Sequence, residues 1–214
     1  MSTPSQPLTF HPAAADDGES EEIARAEVYG LLAQLFYAPP EEALFAQLRV
    51  AVTEAPARGA LLEAGFSELV AAARRLDRAA LRDEYEALFL GVGKPEIFLY
   101  GSYYLAGALN EKPLVALRDE LAALGLMRVE AMAETEDHIA YLCEVMRYLI
   151  AGDDVAPDDL ARQRRFFDAQ LRGWSERLFE SLAAHPRADF YRALAVFARD
   201  FFAVEGQGFD LLEA

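Results

Sequence analysis

Apolar residues recur along most of this chain at intervals of three and four, the spacing of a helix with one buried face. Ile23, Val28, Leu31, Leu32, Leu35 and Phe36 follow it, after a start near Ser20 with Glu21 and Glu22 in the opening turn, where the helix dipole favours acids. Pro39 and Pro40 stop that helix, and Glu41–Ala51 reads as a second. Pro56 and Gly59 interrupt the chain before two further stretches, Ala60–Leu76 with a kink at Gly65 and Arg78–Leu90.

Residues 91–101, GVGKPEIFLYG, keep no helical period and form an unusually apolar loop. A short helix around Ser102–Leu109 follows, then Pro113–Leu124, with proline at the start and Gly125 just past the end. After an irregular stretch, Leu126–Ala133, Thr135 is placed to cap a helix running to about Ile150 that buries Ile139, Leu142, Met146 and Leu149. Gly152 and Asp153 end it. Pro157 opens a long helix with the stripe Leu160, Phe167, Leu171, Trp174, Leu178 and Leu182. Beyond His185-Pro186, Phe190, Leu194, Phe197 and Phe201 form another. No segment reads as a strand, a long heptad run or an internal repeat. The pattern predicts an all-α protein, a single bundle of about nine helical segments. Its boundaries fall at 20–204, between a disordered acidic and proline-rich tail (1–19) and a C-terminal tail (205–214).

Composition narrows the function. No apolar run approaches the ~18–20 residues that cross a bilayer, so stable membrane insertion is not expected. The first residues lack the basic start and apolar core of a secretory signal, and Cys143 is the single cysteine, which excludes an intramolecular disulfide; both point to the cytoplasm. With 36 acids against 20 Lys and Arg, the net charge of −16 disfavours nucleic acid and favours a basic partner, though acidity alone also serves solubility.

Candidate chemistry is sparse. A di-iron bundle needs paired Glu-x-x-His motifs, and none of His11, His138 and His185 has Glu three residues before it. Gly91-Val92-Gly93-Lys94 fails as a phosphate loop: Leu88 and Phe89 stand where the first glycine belongs, and Pro95 follows the lysine. Cys143 lies mid-helix beside Glu144, where nothing lowers a thiol pKa. Ser102 has no histidine nearby in sequence. Asp137-His138 suits acid–base work, but such a pair in a first helical turn more often has a structural role. The residues call for no metal or cofactor and no catalytic set.

Two segments carry a resemblance. Tyr85-Glu86-Ala87-Leu88-Phe89-Leu90-Gly91 is followed by Tyr100-Gly101-Ser102-Tyr103-Tyr104, and later by Glu134-Thr135-Glu136-Asp137-His138. In that order they resemble the TorD/DmsD/NarJ family of redox-enzyme maturation chaperones, with weaker likeness over most of the chain. Thr135 stands where the family usually has proline, and Leu99-Tyr100 replaces its Pro-Trp. The resemblance implies a TorD-like helical fold and a non-enzymatic cytoplasmic chaperone. Its partner would be the apo-form catalytic subunit of a molybdopterin-dependent oxidoreductase, or the twin-arginine signal peptide of that subunit, held until the cofactor is inserted. It places Tyr100, Ser102, Tyr104, Asp137 and His138 at or near the client surface. The irregular stretch at 126–133 is a candidate hinge for exchanging helices, so a monomer and a helix-swapped dimer both stay open. Two other readings stay open: a nucleotide-binding or hydrolysing helical protein, and a permanent assembly subunit of a redox complex.

A signal peptide with a basic start and an apolar middle suits an aromatic groove with a carboxylate lip. Ile97–Tyr104 supply the apolar surface, Glu134, Glu136 and Asp137 the charge, and His138 a switch near neutral pH. On this reading, replacing Asp137 and His138 weakens client binding and leaves melting nearly unchanged.

Overall fold

Every regular element among the described residues of the computed structural model, 18–51, 62–91, 93–128, 133–152 and 160–211, is helical. In chain order these are α1 (Gly18–Tyr37), α2 (Glu42–Val50), α3 (Glu63–Arg75), α4 (Arg78–Tyr85) and α5 (Gly101–Ala106). Then come α6 (Lys112–Ala123), α7 (Ile139–Ala151), α8 (Leu160–Phe167), α9 (Ser175–Ala183) and α10 (Phe190–Leu211). A π-turn extends α4 over Glu86–Leu90, and another extends α8 over Asp168–Arg172. The fold is all-α, as the periodicity predicts. Of the tail predicted over 1–19, Gly18 and Glu19 instead begin α1; residues 1–17, the helix opening at Pro157 and the breaks at Pro56 and Gly59 lie outside the described residues.

The centre of the bundle is α1 against α7, with α10 lying along α9 and α3. From Ala26 to Phe36 α1 is buried nearly all round, which marks a core helix rather than a surface one. Ile23, counted in its apolar stripe, is instead half exposed. The expected face of α7 is buried as read, with Ile139, Leu142, Met146 and Leu149 all nearly solvent-free. Gly65 does not kink α3: a Cβ there would stand 3.3 Å from the Phe197 backbone, so the glycine lets α3 and α10 approach closely.

Three boundaries differ from the sequence reading. The long stripe from Leu160 to Leu182 is broken at Gly173-Trp174, because Trp174 leaves helical geometry and its indole N–H turns back to the Gln170 carbonyl at 2.6 Å. The helix after Thr135 starts later, at Ile139, and its N-cap is His138, not Thr135. The segment assigned to a tail from residue 205 continues α10 to Leu211, with Glu205 and Phe209 buried. Glu205 has a reason to be buried: Arg25 of α1 binds it through two nitrogens, at 2.7 and 2.8 Å, and the Tyr29 hydroxyl donates to it at 3.0 Å. Those partners lie some 180 positions away in the chain, beyond any local pattern.

The other end of α10 is fixed just as remotely. Glu84 in α4 accepts from the backbone N–H groups of Asp189, Phe190 and Tyr191 at 2.8–3.1 Å, satisfying donors that a helix N-terminus leaves orphaned. Burial nonetheless holds the Glu84 carboxyl above the usual range.

Candidate functional site

The two motif-bearing segments meet although 34 residues separate them. Tyr100 and His138 form an isolated antiparallel bridge, with Ile139 N–H donating to the Leu99 carbonyl (2.8 Å) and Gly101 N–H to the Asp137 carbonyl (2.9 Å). The loop reaches this position from the π-turn through Gly91, whose φ of 58° favours glycine and where a Cβ would fall 2.1 Å from the Lys94 carbonyl oxygen. The glycines read against a phosphate loop are therefore turn-formers. From Ile97 to Tyr100 the chain alternates as an extended segment does: Ile97 and Leu99 are buried, Phe98 and Tyr100 half-buried.

Behind the bridge sits a buried polar frame. Asp137, 4% exposed, accepts from the Ser102 N–H at 2.9 Å and from the Thr135 hydroxyl at 2.6 Å, so it fixes the start of α5 as well as its own turn. His138, 3% exposed, accepts the Ala140 N–H at Nδ1, 3.2 Å, and so caps α7. Burial drives its pKa down to about 4 despite the nearby Glu134 and Asp137, so the imidazole is neutral at physiological pH. It cannot act as the switch near neutrality expected of it. Ser102 is fully buried, and its Oγ has no hydrogen-bond partner among the described residues. Gly101 beside it faces Trp174, where a Cβ would come within 3.1 Å of the indole.

In front of the frame is a rim. The Tyr100 hydroxyl donates to the Glu134 carboxylate, and both side chains are half-buried. Burial, then this hydrogen bond, raise the Tyr100 phenol pKa, so it stays protonated. The Tyr100 ring meets His138 edge-on at 5.0 Å; Tyr37 and Tyr141 close the cluster, 5.7 Å apart, with Tyr37 44% exposed. Tyr104 lies apart from Tyr100, stacked on Trp174 at 5.6 Å.

Of the expected site residues, Tyr100, Glu134, Asp137, His138 and Ser102 come together, while Tyr104 joins them through α5. The acidic lip contracts, however. Asp137 is consumed by the frame. Glu136, though burial acts to raise its pKa, is held below the usual carboxylate range by two hydrogen bonds from Arg118, at 3.0 and 2.9 Å. Glu134 alone remains on the rim. Tyr37 and Tyr141 were missed by the motif reading. Tyr37 closes the Pro-Pro-terminated α1, and an aromatic exposed at a helix end was the available signal.

Elsewhere, a cavity of about 230 Å³ opens between the second π-turn, α9 and α10, over Phe167, Phe179 and Phe202. Its two arginines are already engaged, Arg172 with Asp168 and Asp210, Arg199 with Asp200. Cys143 is fully buried, and burial raises its thiol pKa, which removes it as a nucleophile. Among the described residues no helix is long and apolar enough to cross a membrane.

Comparison with known proteins completes the site's setting. A crystal structure of an Archaeoglobus fulgidus protein assigned to redox enzyme maturation superposes with a TM-score of 0.55 over 84% of this chain and 93% of that one, at 18% identity, a likeness of fold. No curated protein matches the sequence significantly. The family model for the nitrate reductase delta subunit matches residues 56–180, a stretch that includes the loop, the bridge and the buried frame. Because that match spans more than half of the sequence, the chain belongs to the nitrate reductase delta subunit family, of the NarJ and TorD type, a family of redox-enzyme maturation chaperones.

Proposed function

We propose that this chaperone serves a molybdopterin-dependent oxidoreductase in the cytoplasm, holding the apoenzyme or its twin-arginine signal peptide until the cofactor is in place. The observation that carries the reading is the rim of half-exposed rings beside one charged carboxylate, Tyr37, Tyr100 and Tyr141 around Glu134. Rings give an apolar segment area to bury at little entropic cost, and the carboxylate attracts a basic start. Tyr104 extends that surface. Ser102, Asp137 and His138 act on the client through the rim, by fixing the two backbone segments that present it.

Calorimetric titration with a peptide of basic start and apolar middle tests this. Binding is expected, weaker by about tenfold in Tyr100→Ala, the loss of one anchoring ring at ~1.4 kcal/mol. It is also expected to weaken as salt rises and screens Glu134. Wild-type binding no better than that of a scrambled polar peptide, or full affinity in Tyr100→Ala, would move the site elsewhere. Capture of the partner oxidoreductase with and without its signal segment then separates the two client forms.

A further inference from the structure

Tyr85 opens the first of the family motifs, yet it is buried and takes no place on the rim. Two rings hold its own: Phe89 meets it edge-on at 4.9 Å, and Tyr191 of α10 lies 5.6 Å away. Its hydroxyl reaches the end of α1, donating to the Tyr37 carbonyl at 2.6 Å, with the Phe36 carbonyl at 3.3 Å. That helix end is short of donors. The Ala38 N–H bonds the Gln34 carbonyl, but Pro39 and Pro40 have no N–H for the Leu35 and Phe36 carbonyls that a continuing helix would satisfy. Tyr85 brings in a donor where the prolines bring none. Burial raises its phenol pKa, so the hydroxyl keeps its proton. The residue it grips carries an exposed ring of the rim: Tyr37 lies 5.7 Å from Tyr141 and 6.5 Å from His138.

We propose that Tyr85 is a positioning residue of the client surface: by binding the Tyr37 carbonyl, its hydroxyl holds the last turn of α1 so that the Tyr37 ring stands against Tyr141. The inference rests on the peptide-binding reading above and adds to it a buried residue that acts on the client only through Tyr37. It also gives the motif that opens at Tyr85 a part in the site.

Tyr85→Phe removes one oxygen and keeps the ring that packs on Phe89 and Tyr191. Calorimetry with the peptide of basic start and apolar middle would cover the wild type, Tyr85→Phe, Tyr37→Ala and the double variant. Tyr85→Phe is expected to weaken binding about threefold in the wild type and not at all in Tyr37→Ala, a coupling at the low end for residues in contact. Matching circular dichroism would show that all four fold. Asp77→Ala is the control for stability alone. It removes the side-chain cap of α4, where Asp77 accepts the Ala80 N–H at 2.8 Å, and should lower the melting temperature while affinity is kept. Full affinity in Tyr85→Phe, equal losses with and without the Tyr37 ring, or a comparable loss in Asp77→Ala overturns the positioning role and leaves peptide binding intact. Absence of binding by the wild type overturns both.

Discussion

The frame of this site and half of its rim come from the same sequence motifs, yet frame and rim answer to different forces. Ser102, Asp137 and His138 are buried, and Asp137 and His138 each accept from a backbone N–H. Tyr100, Glu134, Tyr37 and Tyr141 remain at least partly open to solvent, with Tyr100 bonded to Glu134 and the rings of Tyr37 and Tyr141 packed together. An Asp-His pair in a family motif invites a reading as chemistry. Here its first duty is to join two irregular segments that have no ladder of their own. The lesson is that stability and recognition divide between neighbours in the sequence, so single substitutions can separate them.

The largest effect is expected from Asp137→Ala. It strips acceptors from the buried Ser102 N–H and the Thr135 hydroxyl, and should cost about 3 kcal/mol, the range for orphaning buried partners of a charged group. Thermal unfolding would show this as a fall of roughly 6–12 °C at this chain length. The sequence alone led to the opposite expectation, unchanged melting; an unchanged melting temperature would restore Asp137 to the rim.

Nearly as large is a pH dependence. His138 titrates near 4 in the folded protein, below the ~6.5 of an unfolded chain, so the unfolded state takes the proton first. Its contribution is whole above pH 6.5 and falls as pH drops toward 4, by about 3 kcal/mol. In His138→Asn, where an amide oxygen keeps the cap, urea unfolding across that window should have a flatter slope than in the wild type. Equal slopes would show that His138 is not buried neutral.

On the rim the ordering should reverse. Tyr37→Ala is expected to change stability by less than about 1 kcal/mol, because the ring is largely exposed, while weakening peptide binding several-fold. Unfolding and calorimetry on one preparation would decide it. A loss of stability without a loss of binding would assign Tyr37 to the frame.

Smallest is Ser102→Ala. Its hydroxyl is buried with no partner among the described residues, so its removal should be neutral or stabilising by up to about 1 kcal/mol. If binding drops while stability rises, the hydroxyl is reserved for the client.

The sequence disclosed local features well and remote ones badly. Proline stops, glycine ends and the buried face of α7 were all legible, because each depends on residues within a few positions. The motifs also named residues that do meet in space. What could not be read was which of them faces outward, since burial of Asp137 and His138 depends on the loop folded over them. Trp174, where the helix breaks, packs on Gly101, and α10 runs on through the Arg25–Glu205 pair, contacts that lie far apart in the sequence. The π-turn after α4 ends against the loop that carries Phe98 and Tyr100, and no residue pattern distinguishes it from an ordinary helical end.

Glu84 gives this architecture a temporal order. The carboxylate that holds the start of α10 sits at the end of α4, two residues before the π-turn that leads to the aromatic loop. Synthesis runs from the N-terminus, so a nascent chain on the ribosome has made the loop but not yet the helix that anchors its base. The loop therefore gains this support only late in translation, and a chain truncated before α10 is expected to present the proposed client surface without it.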